Sequence, residues 1–152
     1  NLFMIYIGAD HGGFKLKEQL KKFLQKKKLE FVDLGANKLK AGDDYPDYAK
    51  MVGKKVSQNP MQNLGLLICR SGQGVCIVAN KFPHVRAALV WNVKEAEMSR
   101  KDDMANVLCL PSDYITTLRN AEKIAEVWLK TPYSSEARHV RRVKKISAIE
   151  AK

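Results

Sequence analysis

This sequence predicts an α/β fold of three layers, α/β/α, with helices on both faces of a doubly wound, mainly parallel, five-stranded sheet. Three observations carry that expectation. Short apolar runs alternate with amphipathic runs along the chain, the pattern of strands joined by crossover helices. The 152 residues, 45% hydrophobic and 28% charged, suit one folded domain over 1–152. The longest apolar runs, such as Leu64 to Cys69, are too short to span a bilayer, and nothing at the start has the layout of a secretory signal.

Leu2 to Gly8 reads as the first buried strand. Phe14 to Lys27 follows as a helix, with Leu16, Leu20, Phe23 and Leu24 on one stripe. Leu29 to Leu34 is the second strand. Pro46, after Asp43 to Tyr45, suits the first turn of a helix running to about Val56, and Asn59-Pro60 stops it. Leu64 to Cys69 is the third strand, and Gly72 to Ala79 a helix entered through glycine. Val85 to Val90 and Asn106 to Leu110 are the last two strands, with a helix over Val93 to Arg100 between them. Thr116 to Lys130 is a helix that Thr131-Pro132 breaks. Ser134 or Ser135 can cap a last helix over about 134–149. The order is Rossmann-like, and in such sheets ligands bind at the carboxyl ends of the strands, near the switch point.

The net charge is +11, and much of it lies in Lys15 to Lys28 and in Arg138 to Lys152. Solvated helix faces, attraction of anionic small molecules and nucleic-acid binding would each use such charge. No RNP-like segment, KH-type loop or aromatic–basic interleaving is present. A basic nucleic-acid or nucleotide-binding module is therefore the alternative, not the leading reading. The three cysteines, Cys69, Cys76 and Cys109, are odd in number and lack C-x-x-C spacing, and His11, His84 and His139 are scattered. Reduced thiols, a cytoplasmic location and no metal site are the expectation.

The segment Leu64 to Lys81 is the richest in chemistry. A strand ends at Cys69, passes through Arg70-Ser71-Gly72-Gln73-Gly74 and enters a helix. Glycines let successive N–H groups converge on an anion or a developing oxyanion, although a plain tight turn reads the same. The segment is neither a Walker loop nor a dinucleotide fingerprint. Cys69 there is a base or nucleophile, or else a small buried hydrophobe. Cys76 and Cys109 read as core. Asp10 can bind sugar hydroxyls or cap the helix before Phe14. His11 can hold phosphate or move a proton, and Tyr45 can meet substrate or only pack. Arg138 and Arg142, one turn apart, suit a phosphate dianion or form a solvated face.

In this order the pieces resemble the type B ribose-5-phosphate isomerases and the related galactose-6-phosphate isomerases, from Ile5 to Glu150. The likeness runs through Gly8-Ala9-Asp10-His11-Gly12-Gly13-Phe14, Asp44-Tyr45-Pro46, Ile68-Cys69 to Asn80-Lys81-Phe82 and Val85-Arg86-Ala87. It continues through Ser99-Arg100, Ala105-Asn106-Val107-Leu108, Arg138-His139 and Arg142-Val143. The resemblance implies aldose–ketose isomerisation of a small sugar phosphate, in the pentose phosphate pathway for ribose 5-phosphate, with no metal or organic cofactor. It also implies a dimer or tetramer whose sites are shared between subunits, the last helix at the interface. By resemblance Cys69 takes the proton beside the carbonyl, Ser71 assists on the oxygens, and the backbone from Arg70 through Gly72, Gln73 and Gly74 holds the enediolate. Asp10, His11 and Tyr45 then touch substrate, while Arg138 and Arg142 bind its phosphate.

Three positions depart from the family pattern. Arg70 replaces the glycine usual after the cysteine. Asp102 and Asp103 stand where members acting on ribose phosphate commonly carry a histidine, credited with opening the furanose ring, and an asparagine. Asp113 stands where an arginine commonly adds to the phosphate site. Arg70 is then the expected substitute cation. Either Asp102 or His11 opens the ring, or the substrate is open-chain, such as a four-carbon sugar phosphate.

Overall fold

The computed structural model describes residues 3–150, so Leu2, expected at the head of the first strand, lies outside them. Five strands form one sheet: β1 (Met4–Ala9), β2 (Phe31–Asp33), β3 (Asn63–Cys69), β4 (Ala87–Leu89) and β5 (Val107–Pro111). Their spatial order is β2-β1-β3-β5-β4, and every pairing is parallel. Six helices connect and flank them: α1 (Phe14–Lys26), α2 (Tyr45–Gln58), α3 (Gln73–Ala79), α4 (Val93–Asp103), α5 (Leu118–Lys130) and α6 (Ala137–Glu150). Among the described residues no helix is long and apolar enough to cross a membrane.

The two-residue period of the central strands sorts their side chains between two cores. Leu64, Leu66 and Ile68 of β3 join Leu108 and Leu110 of β5 on one face, covered by Leu20 and Leu24 of α1, Ala96 of α4 and Ile124 and Trp128 of α5. Leu67, Cys69, Val107 and Cys109 face the other way, against Ala49, Val52 and Val56 of α2 and Val75 and Ala79 of α3. Cys69 therefore belongs to the α2/α3 face, at the carboxyl end of the central strand.

The edge strands are shorter than the apolar runs predicted. β2 holds register only over Phe31, Val32 and Asp33, because the chain beyond it turns across the end of β1. There Ala9 donates to the Gly35 carbonyl and Ala36 to the Ala9 carbonyl, each at 2.8 Å. Helix ends also differ where capping decides them. Thr117 accepts the Asn120 N–H, so α5 starts at Leu118 and not at Thr116. Ser134 accepts the Glu136 N–H and shapes the turn before α6, which begins at Ala137. Helix α4 runs past Arg100 to Asp103, which places Asp102 and Asp103 on its last turn.

Candidate active site

The switch point lies between β1 and β3, whose last paired residues, Ala9 and Ile68, are followed directly by Asp10 and Cys69. At the end of β3 the backbone reverses through Gly72, which has φ +72° and stands at the N-cap of α3. The helix starts at Gln73, one residue later than expected. A Cβ on Gly72 would sit 2.6 Å from Leu89 Cδ1 and 3.0 Å from the backbone of Leu110 and Pro111, so this turn needs glycine on both conformational and steric grounds. The Gly72 N–H donates to Cys69 Sγ at 3.2 Å. The Gln73 N–H donates to Ser71 Oγ at 3.3 Å. The thiol is 5% exposed, a buried sulfur whose polar neighbour is an amide of the turn. Cys109 is core as expected, while Cys76 is only partly buried.

The end of β1 is knitted to the loop before α2. His11 donates its N–H to Asp43 Oδ1 at 2.8 Å, and its Nδ1 lies 2.7 Å from the same oxygen. The Tyr48 hydroxyl donates to Asp43 Oδ2 at 2.9 Å. Burial alone would raise the Asp43 pKa, but these donors, the His11 N–H and ring foremost, together hold it below the usual carboxylate value. Asp43 thus sits as the acceptor for the His11 N–H and the Tyr48 hydroxyl. Asp10, by contrast, has its pKa raised by burial, partly offset by the Gly13 N–H that it accepts at 3.1 Å. The N-cap position of α1 itself is Gly13, so Asp10 secures the turn before the helix and is not its N-cap.

Three further contacts draw the loops together. Ser112 Oγ lies 2.8 Å from the Gly12 carbonyl oxygen and 3.2 Å from that of Cys69, bridging the ends of β1 and β3. The Arg70 stem lies against Gly12, where a Cβ would come within 2.4 Å of Arg70 Cγ, and the Tyr45 ring covers Gly74 just as closely, at 2.6 Å. Arg70 Nη1 reaches Asp113 Oδ1 at 3.6 Å, both side chains substantially exposed. The charge expected to replace an arginine at position 113 is thereby paired with Asp113 itself, through an exposed contact worth under about 1 kcal/mol.

The remaining candidates gather elsewhere. Asp102 lies 3.6 Å from His139 Nε2, where α6 packs on α4. His139 is buried and its Nδ1 has no partner among the described residues. Asp103 is exposed on the same turn. Arg138 is exposed and pairs with Glu136 at 2.8 Å, and Arg142 is exposed one turn on. No hydrogen bond or ion pair among the described residues joins α6 to Cys69, His11 or Tyr45. One chain thus carries two partial constellations: Asp10, His11, Tyr45, Arg70, Ser71 and the Cys69 turn in one, and Asp102, Asp103, Arg138 and Arg142 in the other.

Cavity size does not single out the thiol. A cleft of about 690 Å³ lies between α4, α5 and the approach to α6, lined by Lys101, Lys123 and Tyr133. A smaller one of about 360 Å³ opens beside Gly12, Ser112 and Asp113, next to the Arg70 pair. The converging donors, not the volume, mark the Cys69 turn. Asp10, His11 and Asp43 have potential ligand atoms within 4.8 Å of one another, but the 2.7 Å Nδ1–Oδ1 contact is a hydrogen bond that already engages two of them. Asp43 is the member of this cluster that motif reading overlooked, and the acidic doublet Asp43-Asp44 before Tyr45-Pro46 was its only trace in the sequence.

The chain as a whole is similar to known proteins. A family model described as Ribose/Galactose Isomerase matches residues 5–146. The crystal structure of ribose-5-phosphate isomerase B from Mycoplasma genitalium with bound ribulose-5-phosphate is similar at 44% identity and a TM-score of 0.94, over 99% of this chain and 97% of that one. A ribose-5-phosphate isomerase B from Clostridium thermocellum is similar at 38% identity and a TM-score of 0.91, over 98% of both chains. Ribose-5-phosphate isomerase B of Mycolicibacterium paratuberculosis is 34% identical over 139 residues, 91% of this chain and 86% of that protein.

Proposed function

This chain belongs to the ribose/galactose isomerase family, and on that premise we propose that it interconverts ribose 5-phosphate and ribulose 5-phosphate with Cys69 as the base. It is an aldose–ketose isomerase by family. The observation that carries the Cys69 assignment is the Gly72 N–H aimed at Sγ, because an amide donor stabilises the thiolate form, the form that can accept a proton from carbon.

The Cys69 thiolate removes the proton from C2 of the open aldose, and the electron pair moves into an enediolate. Ser71 passes a proton between O1 and O2. The thiol then returns its proton to C1, which leaves the ketose and restores the thiolate. Negative charge on the enediolate oxygens develops beside the amides of the turn from Ser71 to Gly74, where fixed donors need no reorganisation. Asp10 and Tyr45 border the same space.

Arg138 and Arg142 bind the substrate phosphate from a second copy of the chain, with Asp102 and Asp103 alongside. This reading is supported by their place: α6 packs on α4, whose Ala96 belongs to one core, while Cys69 belongs to the other. Anchoring a phosphate remote from the reacting carbons aligns the C–H bond with the base.

An isomerase panel over four-, five- and six-carbon aldose phosphates, run with wild type and Cys69→Ala, tests the reading. Ribose 5-phosphate is expected to turn over, and the variant to lose about a hundredfold or more in kcat. Full activity in the variant would reassign the base. Turnover of a four-carbon substrate alone would reassign the sugar.

A further inference from the structure

The thiol and the loop beside it stand on separate strands, and the ladder between those strands stops short of both. Strands β1 and β3 are last paired at Ala9 and Ile68, while the loop from Asp10 to Gly13 and the thiol of Cys69 lie beyond that pair. Something other than the ladder must set the gap between them. We infer that Ser112, just past the end of β5, is the positioning residue that sets it; the inference rests on the reading of Cys69 as the base.

Ser112 is itself firmly placed. Strand β5 pairs with β3 as far as Pro111, opposite Cys69. Past that pair the Ser112 N–H donates to the Cys69 carbonyl and the Asp113 N–H to the Arg70 carbonyl, each at 3.0 Å, and the Tyr114 N–H closes a turn on the Pro111 carbonyl at 3.0 Å. The backbone of Ser112 is thus tied to the residue that carries the thiol. Its side chain then reaches past β3 to the β1 loop, with Oγ 2.8 Å from the Gly12 carbonyl oxygen and 3.2 Å from that of Cys69.

A serine hydroxyl has one proton to donate. The Cys69 carbonyl already receives the Ser112 N–H, whereas the Gly12 carbonyl accepts no other hydrogen bond among the described residues. The shorter contact therefore takes the proton, and the partly buried Gly12 carbonyl is held at the distance the hydroxyl sets. The Arg70 stem also rests on Gly12, but an apolar contact is not directional, and the hydroxyl supplies the directional bond. Gly12 does not move alone. The Gly13 N–H donates at 3.1 Å both to the Asp10 carbonyl and to Asp10 Oδ1, so the loop is a closed turn, and a displaced Gly12 carries Asp10 with it.

The consequence falls on the chemical step. A sugar lying against Asp10 follows the loop, so loosening the loop moves the reacting carbon relative to Sγ while the contacts that bind the sugar persist. A misplacement of about 1 Å can cost about a hundredfold in rate. The ionisation of the thiol is a separate matter, because its amide donor is Gly72, which Ser112 does not touch.

Two variants and two readouts test this. Steady-state kinetics with ribose 5-phosphate give kcat and KM, and alkylation of Cys69 by iodoacetamide across pH, followed by peptide mass spectrometry, gives the midpoint of its thiolate in the free enzyme. Ser112→Ala is expected to lower kcat at least about tenfold with KM within about threefold of wild type. Ser112→Thr restores the hydroxyl, and its methyl has room in the cleft that Ser112 lines, so kcat is expected to stay within about threefold of wild type. The alkylation midpoint is expected to match wild type in both variants, which also shows that the turn around the thiol is folded. An unchanged kcat in Ser112→Ala, a loss confined to KM, an equal loss in Ser112→Thr, or a shifted alkylation midpoint would overturn the inference. Wild type that fails to turn over ribose 5-phosphate, or Cys69→Ala that keeps full activity, would instead overturn the reading on which it rests.

Discussion

Arg70 shows how a single position redistributes charge at this site. It follows the thiol directly, leans over Gly12 and meets Asp113 across the strand ends. The contact is long and exposed and leaves most of the guanidinium donors free, so Arg70 can turn part of its charge to a bound phosphate while Asp113 tethers it. Replacing Arg70 with glycine is expected to raise KM for the sugar phosphate about tenfold, with kcat much less affected, because a phosphate contact made equally in ground and transition states acts on binding. Steady-state kinetics check this, and an unchanged KM removes Arg70 from the phosphate site. The thiol turn was legible in the sequence because strand, glycine and helix follow one another within a dozen residues. The Arg70–Asp113 pair was legible only as two anomalies, since nothing local says that the ends of β3 and β5 meet.

At the scale of elements, the corner where α4, α5 and α6 meet is held by Arg100. Its Nη1 donates to the Ala105 carbonyl at 2.7 Å and to the Tyr133 hydroxyl at 2.9 Å, and Nε donates to the Thr131 carbonyl at 3.3 Å. The guanidinium also stacks 4.7 Å from the Trp128 ring and 4.3 Å from the Tyr133 ring. Burial lowers its pKa, and the Tyr133 contact works against that. Arg100→Ala takes the Arg100 donor from the Thr131 carbonyl, leaves the Ala105 carbonyl only the Tyr133 hydroxyl at 3.3 Å, and removes both ring contacts, so a loss of about 2 kcal/mol is expected. Denaturant unfolding followed by far-UV circular dichroism would read it; a loss under about 0.5 kcal/mol would show the corner to be held by packing alone. The last turn of α4 also carries Asp102 and Asp103 at the negative end of the helix dipole, and His139 of α6 stands against the first of them. Lysines of α1 are engaged in a similar way. Fully buried Lys17 and half-buried Lys21 meet Asp33 at 2.6 and 2.7 Å, so part of the basic segment neutralises the fold's own carboxylates and is not a free face for nucleic acid.

For the whole molecule, the division of candidate residues into two constellations makes a clear demand. If each site draws the thiol turn from one chain and the arginines from another, two inactive variants should complement each other. Cys69→Ala and Arg138→Ala/Arg142→Ala are each expected to be nearly inactive alone. Mixed and allowed to exchange subunits, they should recover about a quarter of wild-type activity, because half the dimers are mixed and each mixed dimer holds one intact site. No recovery, with mixed dimers shown to form, would place both constellations in one chain's site.

The sequence by itself determined the strand–helix order, the parallel sheet, the glycine turn after the thiol and the family. Each is written in short-range periodicity or turn chemistry, which depends on neighbours along the chain. Only the tertiary structure decided that Asp43 holds His11 from 32 residues away, that Arg70 answers Asp113 and that Asp102 faces His139. It also decided how far the edge strands run. These are matters of which loops meet at the carboxyl edge of a parallel sheet, and the strand order that brings them together is set by packing two apolar cores, not by any residue's immediate neighbours.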